Sequence, residues 1–191
     1  YCFTPTHYYW RHYQSYLANP GFGVFNWLAR IGLRALLTPL KNKDYQAAQQ
    51  PDAFVAISKH IQEDISRFYN RDSDIIAPPV QTERFTKHRQ PLKRQGFVTM
   101  GRQTAVKRTD IIVDACTKLE LPLTVIGNGP DHANLVARAG STVEFLTNVS
   151  DEQMPAKLAA AEAFLFASVE DFGIAPVEAM ASGTPVIALT D

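Results

Sequence analysis

Cysteine is scarce in this chain. There are two in 191 residues, Cys2 and Cys116, with no C-x-x-C spacing and no histidine pair nearby. A disulfide framework or zinc scaffold is excluded as the organising principle, and a reducing, cytoplasmic compartment is expected. No sign of charge dominates either. Lys plus Arg and Asp plus Glu number 19 each, for a formal net charge of +0. No global basic field gathers nucleic acid, and that partner class is set aside. No uninterrupted apolar run reaches the roughly 18 residues of a membrane-spanning helix. Gly-x-Ser-x-Gly and Gly-Lys-Ser/Thr are both absent. His7, His12, His60, His88 and His132 have no metal-ligand spacing. Asp72-Ser73-Asp74 could offer hard oxygen ligands to Mg²⁺ or Mn²⁺. It precedes a strand, however, at the end of an α/β unit away from the ligand, so no metal site is expected. The chain opens on Tyr1 without an initiator Met or a signal peptide and closes straight after a strand, so it reads as a fragment of a longer protein.

Hydrophobic residues make up 46% and charged residues 20%, as in soluble globular domains. Residues 1–19 are rich in aromatics (Tyr1, Phe3, Tyr8, Tyr9, Trp10, Tyr13 and Tyr16). They read as a loop and short helix against a core, or as the wall of an acceptor pocket. Residues 20–48 have helical periodicity, with Phe25, Leu28, Ala29, Gly32, Leu33, Leu36, Leu37 and Leu40 on one broad stripe. Arg30, Arg34, Lys41 and Lys43 supply a cationic side. Such a helix can lie on an anionic membrane or be an ordinary surface helix. Residues 52–58 read as a short strand, Ser58 as the cap of a helix to about Tyr69, and residues 75–80 as a strand running into Pro78-Pro79. That proline pair is the best boundary in the chain, with the polar run 81–95 as its continuation.

Beyond it the rhythm is regular. Strands over 96–100, 123–126, 143–146 and 163–168 alternate with helices over about 109–119, 132–139 and 151–161. Alternation of this kind predicts an α/β fold with a doubly wound parallel sheet. Three strand ends carry chemistry. Gly101-Arg102, with Lys107-Arg108 close behind, brings positive charge where a diphosphate leaving group would need it. Gly127-Asn128-Gly129 is a second glycine turn, weak alone. The third is Glu170-Asp-Phe172-Gly173-Ile174-Ala-Pro176-Val-Glu178. Pro176 suits a first helical turn, Gly183 suits the helix end, and residues 184–189 read as the next buried strand. A free helix N-terminus between two carboxylates suits a phosphate and sugar hydroxyls together, which points to a nucleotide-sugar.

These segments, in this order, resemble the retaining GT-B glycosyltransferases of the GT4 type (glycosyl transferases group 1). Glu170 to Glu178 resembles that family's E-x7-E signature. Gly101-Arg102-x4-Lys107-Arg108 resembles its donor-diphosphate loop, and Val125-Ile-Gly127-Asn128-Gly129-Pro, Val143-Glu-Phe145-Leu and Gly183-Thr-Pro-Val-Ile its following segments. Ile75-Ile-Ala-Pro-Pro-Val resembles its interdomain crossover, and Tyr1-Cys-Phe-Thr-Pro-Thr a segment of its mannosyltransferase-like members.

The resemblance implies that residues 1–80 are the C-terminal part of an acceptor-side domain with the crossover. Residues 81–191 would be a donor domain truncated at its C-terminal end. Arg102 and Lys107 would neutralise the donor diphosphate, Glu178 would bind ribose, and Glu170 the transferred hexose. The backbone of Phe172, Gly173 and Ile174 would hold sugar and phosphate. Gly101, Gly127, Asn128 and Gly129 would line the nucleotide cleft, with Phe145 near the base. No cofactor is implied beyond the nucleotide-sugar substrate. The reaction would retain anomeric configuration without a metal, moving a hexose, mannose by first choice, to a saccharide or lipid-linked acceptor. The location would be cytoplasmic, with peripheral membrane contact left open.

The chain departs from the family pattern in places. Phe3 stands where many relatives have histidine, and Thr147 stands where a glycine is common. A non-catalytic nucleotide-sugar-binding or scaffold member of the same fold is therefore the alternative, and the basic loop ahead of E-x7-E argues against an epimerase or phosphorylase.

Overall fold

The computed structural model describes the chain apart from His12 and residues 19–22, 88–92 and 190–191, and gives the backbone alone for Ser15 and Tyr16. The described residues form two compact units, Tyr1–Pro78 and Pro79–Asp191.

The first unit contains α1 (Tyr13–Ala18), α2 (Asn26–Ala48), β1 (Val55–Ala56), α3 (Lys59–Tyr69) and β2 (Asp74–Ile75). β1 and β2 pair in parallel, and Cys2 bridges to Ala56. Ser58 caps α3 by accepting from the Ile61 N–H at 3.2 Å, and Asn70 closes it in the left-handed region at φ 51°. Between these caps Ile61 and Ile65 are fully buried. The strands expected over 52–58 and 75–80 shorten to two residues each; Ser58 already caps α3 at the end of the first, and Pro78-Pro79 fall within the second, where proline cannot donate to a ladder. The broad apolar stripe expected on α2 is not a buried face. Ala29, Gly32, Leu37 and Leu40 are half-buried, whereas Phe25, Leu28, Leu33 and Leu36 are exposed.

The aromatic opening is fastened down by one carboxylate. Asp44 accepts from the Thr6 hydroxyl (2.7 Å), the Trp10 indole (2.6 Å) and the Tyr69 hydroxyl (2.9 Å). Trp10 stacks on Phe68 with ring centroids 5.3 Å apart, and Arg11 pairs with the buried Asp64.

The second unit is an all-parallel five-stranded sheet in the order β5-β4-β3-β6-β7. In chain order its elements are α4 (Thr82–Thr86), β3 (Phe97–Met100), α5 (Thr109–Lys118), β4 (Leu123–Ile126), α6 (His132–Arg138), β5 (Val143–Leu146), α7 (Met154–Ala159), β6 (Ala163–Phe166), α8 (Ile174–Ala181) and β7 (Val186–Ala188). The sheet is buried on both faces. Ile112, Val113 and Cys116 of α5 and Leu135 of α6 pack with Leu123 and Val125 on one side. Phe85 of α4, Leu158 of α7 and Ala179 of α8 pack with Val98, Ile126 and Phe164 on the other.

Two expectations need correction here. Residues 81–95 do not simply continue the boundary, for α4 folds within them and puts Phe85 at 0% exposure in the core. One large apolar side chain is enough to dock a short helix; burying a Phe is worth about 1.5–3 kcal/mol. The last strand is not buried either. β7 has β6 as its one neighbour in the sheet, and Ile187 is 56% exposed.

Candidate functional site at the strand ends of the second unit

The order of the sheet creates the site. From β3 the chain moves to β4 on one side, and β6 returns to the other side of β3. A parallel sheet that reverses in this way opens a crevice at the carboxyl ends of its strands. The loops after β3, β4 and β6 are the three that carry Arg102, Asn128 and Glu170.

The first two loops are locked together. Gly101 (φ 154°) and Gly127 (φ 120°) adopt backbone conformations that favour glycine. A Cβ on Gly127 would lie 2.2 Å from the Gly101 carbonyl oxygen, and one on Gly129 would lie 2.2 Å from that of Gln103. Gln103 completes the clasp from a side chain that is 1% exposed. Its backbone N–H donates to the Asn128 carbonyl at 2.9 Å, and its amide Nε2 donates to the Gly127 carbonyl at 2.8 Å. Its Oε1 lies 2.7 Å from His132 Nδ1, which therefore carries the proton.

Below the clasp lies a cavity of about 330 Å³. Met100, Ile126, Val149 and Met154 form an apolar floor, and Gly101, Arg102, Gly127, Asn128 and Thr147 surround it. Its size sits at the lower end of the range for small-molecule sites. Arg102 is exposed, with no hydrogen bond or ion pair among the described residues.

Lys107 and Glu170, 63 positions apart, meet each other. Lys107 ends a short 3₁₀ turn, Ala105–Lys107, ahead of α5. Glu170 follows β6. Lys107 Nζ forms an ion pair with Glu170 Oε1, and the Ser168 hydroxyl donates to the same oxygen at 2.8 Å. After Glu170 the chain turns at Gly173 (φ 83°), which caps α8, and Pro176 takes the third position of that helix. Ile174 is the first residue of α8. Gly183, at φ 79°, lies just past the helix end.

Glu178 is half-buried on α8. Burial pushes its carboxyl above the usual range, Asp151 adds to that, and Arg84 opposes it. Arg84 lies over the Phe85 ring, 4.7 Å from its centroid, and 3.8 Å from Asp151 Oδ2. Its Nε is buried without a hydrogen-bond partner among the described residues.

Of the residues singled out in the sequence, Gly101, Arg102, Gly127 and Asn128 border the cavity. Lys107 and Glu170 join each other, and Phe172, Gly173 and Ile174 lead into α8. Phe145 does not reach the cavity. Its ring packs with α5 and α6 on the opposite face of the sheet, edge-on to His132 at 5.4 Å. Neighbouring residues of a strand point to opposite faces, so it is Leu146 that packs on the cavity side. Gln103, Ser168, His132 and Arg84 escaped the sequence reading. Ser168 had a usable signal, a hydroxyl at a strand end two residues before Glu170. The others act through partners distant in sequence.

Residues 80–190 match the family described as glycosyl transferases group 1. The chain is 32% identical over 126 residues to the D-rhamnosyltransferase WbpZ of Pseudomonas aeruginosa, covering 62% of this chain and 33% of that one. It is 28% identical over 169 residues to a D-inositol 3-phosphate glycosyltransferase of Mycobacterium sp. strain JLS, covering 76% and 38%. It superimposes on sucrose-phosphate synthase of Thermosynechococcus elongatus with a TM-score of 0.61 and 21% identity, covering 78% and 43%. The chain thus spans less than half the length of each of them, and the likeness to the solved structure shows the fold, an α/β architecture of the GT-B type.

Proposed function

The chain belongs to the glycosyl transferases group 1 family, and we propose that its second unit is the nucleotide-sugar half of a retaining hexosyltransferase. Residues 81–191 form the donor domain in this reading, and residues 1–80 belong to the acceptor side. Arg102 and Lys107 face the donor diphosphate, Glu178 the ribose and Glu170 the hydroxyls of the transferred hexose. The backbone of residues 172–174 holds sugar and phosphate. The observation that carries the reading is the meeting of Lys107 with Glu170, one a partner for phosphate and the other for hydroxyls, from the segments after β3 and β6, the first of which also carries Arg102 at the rim of the cavity.

Mannose is the first choice of sugar. The opening segment supports it, and so does the D-rhamnosyl specificity in the name of the Pseudomonas relative, since D-rhamnose is mannose without its 6-hydroxyl. Titrating the full-length protein with GDP-mannose, UDP-glucose and ADP-glucose tests this, with tightest binding of GDP-mannose as the expected result. Binding of none of them would overturn the donor-site reading. Tight binding of GDP-mannose with no transfer to any acceptor would favour the scaffold alternative, which the exposed Phe3, in place of a histidine, supports.

Transfer proceeds without a divalent ion in this reading, because two cations flank the diphosphate. Turnover in excess chelator should equal that in Mg²⁺. A collapse restored by Mg²⁺ or Mn²⁺ would refute it.

A lipid-linked acceptor would bring the protein to a membrane surface. No helix among the described residues is long and apolar enough to cross one. α2 nonetheless turns Trp27, Leu28 and Ile31 to solvent, with Trp27 59% exposed. Two of its four cations are already engaged. Arg30 donates to the carbonyls of Leu17 (2.9 Å) and Ala18 (2.7 Å), and Lys41 lies over Trp10 and Tyr13. Arg34 and Lys43 remain for lipid. At about 1 kcal/mol per cation near an anionic surface, replacing both with Gln should weaken binding to anionic vesicles by about 2 kcal/mol. Binding should also fall with salt. If the unmodified full-length protein fails to sediment with such vesicles at low salt, the membrane reading is wrong.

A further inference from the structure

We propose that Ser168 is a positioning residue that holds Glu170 in place when the donor draws Lys107 away from it; this rests on the donor-site reading above. The two groups that would bind opposite ends of the donor neutralise each other here. Glu170 Oε1 takes both the Lys107 ammonium and the Ser168 hydroxyl, the latter at 2.8 Å, while Oε2 has no hydrogen-bond partner among the described residues. Lys107 keeps about a third of its side chain exposed, and its stem is flexible, so it can follow a stronger anion. An arriving diphosphate carries more negative charge than one carboxylate and takes the lysine.

Glu170 then loses its cation. A glutamate side chain has several rotors, and an untethered one regains conformational freedom. Ser168 opposes that swing. It sits two residues before Glu170, straight after β6, which is hydrogen-bonded to β3 on one side and β7 on the other. Phe164 within β6 and Ala167 just before Ser168 are buried, so the chain that carries the hydroxyl is anchored up to its neighbour. With Oε1 pinned by that hydroxyl, Oε2 is presented to a sugar hydroxyl. The bond to a charged acceptor is of the stronger class. Ser168 thus acts through Glu170 and touches neither phosphate nor nucleotide.

The test uses the full-length protein with GDP-mannose as donor and GDP as the sugar-free probe. Ser168→Ala should lower kcat roughly tenfold (about 1.4 kcal/mol) and leave GDP binding within about twofold of the parent, because GDP lacks the part that Glu170 contacts. Ser168→Thr, which keeps the hydroxyl, should restore most of the loss. Ser168→Ala should add little on a Glu170→Gln background, since the two act as one unit. Should the alanine variant melt early, Ser168→Cys keeps the volume while weakening the donor, and is expected to show the same kcat loss. The proposal falls if Ser168→Ala turns over normally while Lys107→Ala and Glu170→Gln do not. It falls also if Ser168→Ala loses GDP binding in step with kcat, which would mark a collapsed loop. If all three variants turn over normally, the donor-site reading itself is wrong and this inference goes with it.

Discussion

Alanine at Lys107 should lower kcat of the full-length protein by roughly 30- to 1000-fold, the range of about 2–4 kcal/mol for removing a group aimed, as the donor-site reading has it, at developing charge. Negative charge grows on the diphosphate as the glycosidic bond breaks, so an ammonium beside it does more in the transition state than in the ground state. The structure adds a reason for the asymmetry. Lys107 is paired with Glu170 before any ligand arrives, and part of what it gains from the donor replaces what it gives up. Its loss should therefore weaken GDP binding much less than it slows turnover. Glu178→Ala should do the reverse. In the donor-site reading Glu178 faces ribose, which does not change during the reaction, so its removal acts on donor affinity, with kcat nearly intact. Glu178 is also half-buried in the charged group it forms with Arg84 and Asp151, so melting temperature must be checked alongside. Parallel losses of kcat and affinity in both variants would contradict these assignments.

The second unit was legible because its strands are mostly apolar runs of three or four residues, each bounded by glycine, proline or polar turns. Val98, Val125 and Phe164 are buried between helices on both faces, and a parallel sheet leaves that continuous signature. The same property hid the orientation of β5. Both faces of the sheet are apolar, so nothing in Val143-Glu-Phe-Leu says which side Phe145 takes, and it lies on the α5–α6 side. α4 was hidden for a different reason. Its one buried residue, Phe85, lies in a polar run with no period to read. The stripe on α2 misled because periodicity shows that apolar residues share a side, not that anything covers them. Within the candidate site, the chemistry at strand ends could be read from glycines, cations and carboxylates close together in sequence. The Gln103–His132 bond spans 29 positions and the Lys107–Glu170 pair spans 63. Contacts of that range are set by the fold and leave no local trace.

Asp44 should be the most costly single residue to lose in the first unit. It gathers three donors from two separate segments, Thr6 and Trp10 in the aromatic opening and Tyr69 at the end of α3. Asp44→Ala removes the acceptor and strands a buried Tyr69 hydroxyl. At about 1–3 kcal/mol for an unsatisfied buried group, and somewhat more per bond when the acceptor is charged, the expected loss is about 3 kcal/mol. The two tryptophans of the chain, Trp10 and Trp27, both lie in this unit, and Trp10 is in the network itself. Urea unfolding followed by tryptophan fluorescence therefore reports on it directly. The network also predicts an alkaline weakness. Burial, above all, pushes the Tyr69 hydroxyl up to about 12 from 10.0, and the bond to Asp44 and the charge of that carboxylate add to it. Between these values the unfolded chain has released the tyrosine proton while the folded one keeps it, so folding there requires proton uptake. The contribution is whole below pH 10 and declines as pH rises from 10 towards 12, by about 2–3 kcal/mol across the interval. Tyr69→Phe should lower stability at pH 7, because Asp44 loses a donor, and should flatten the fall above pH 10. A Tyr69→Phe protein that loses stability above pH 10 as steeply as the parent would show that another group governs the alkaline limb. An Asp44→Ala protein with an unchanged urea midpoint would show that the aromatic opening is held by packing alone.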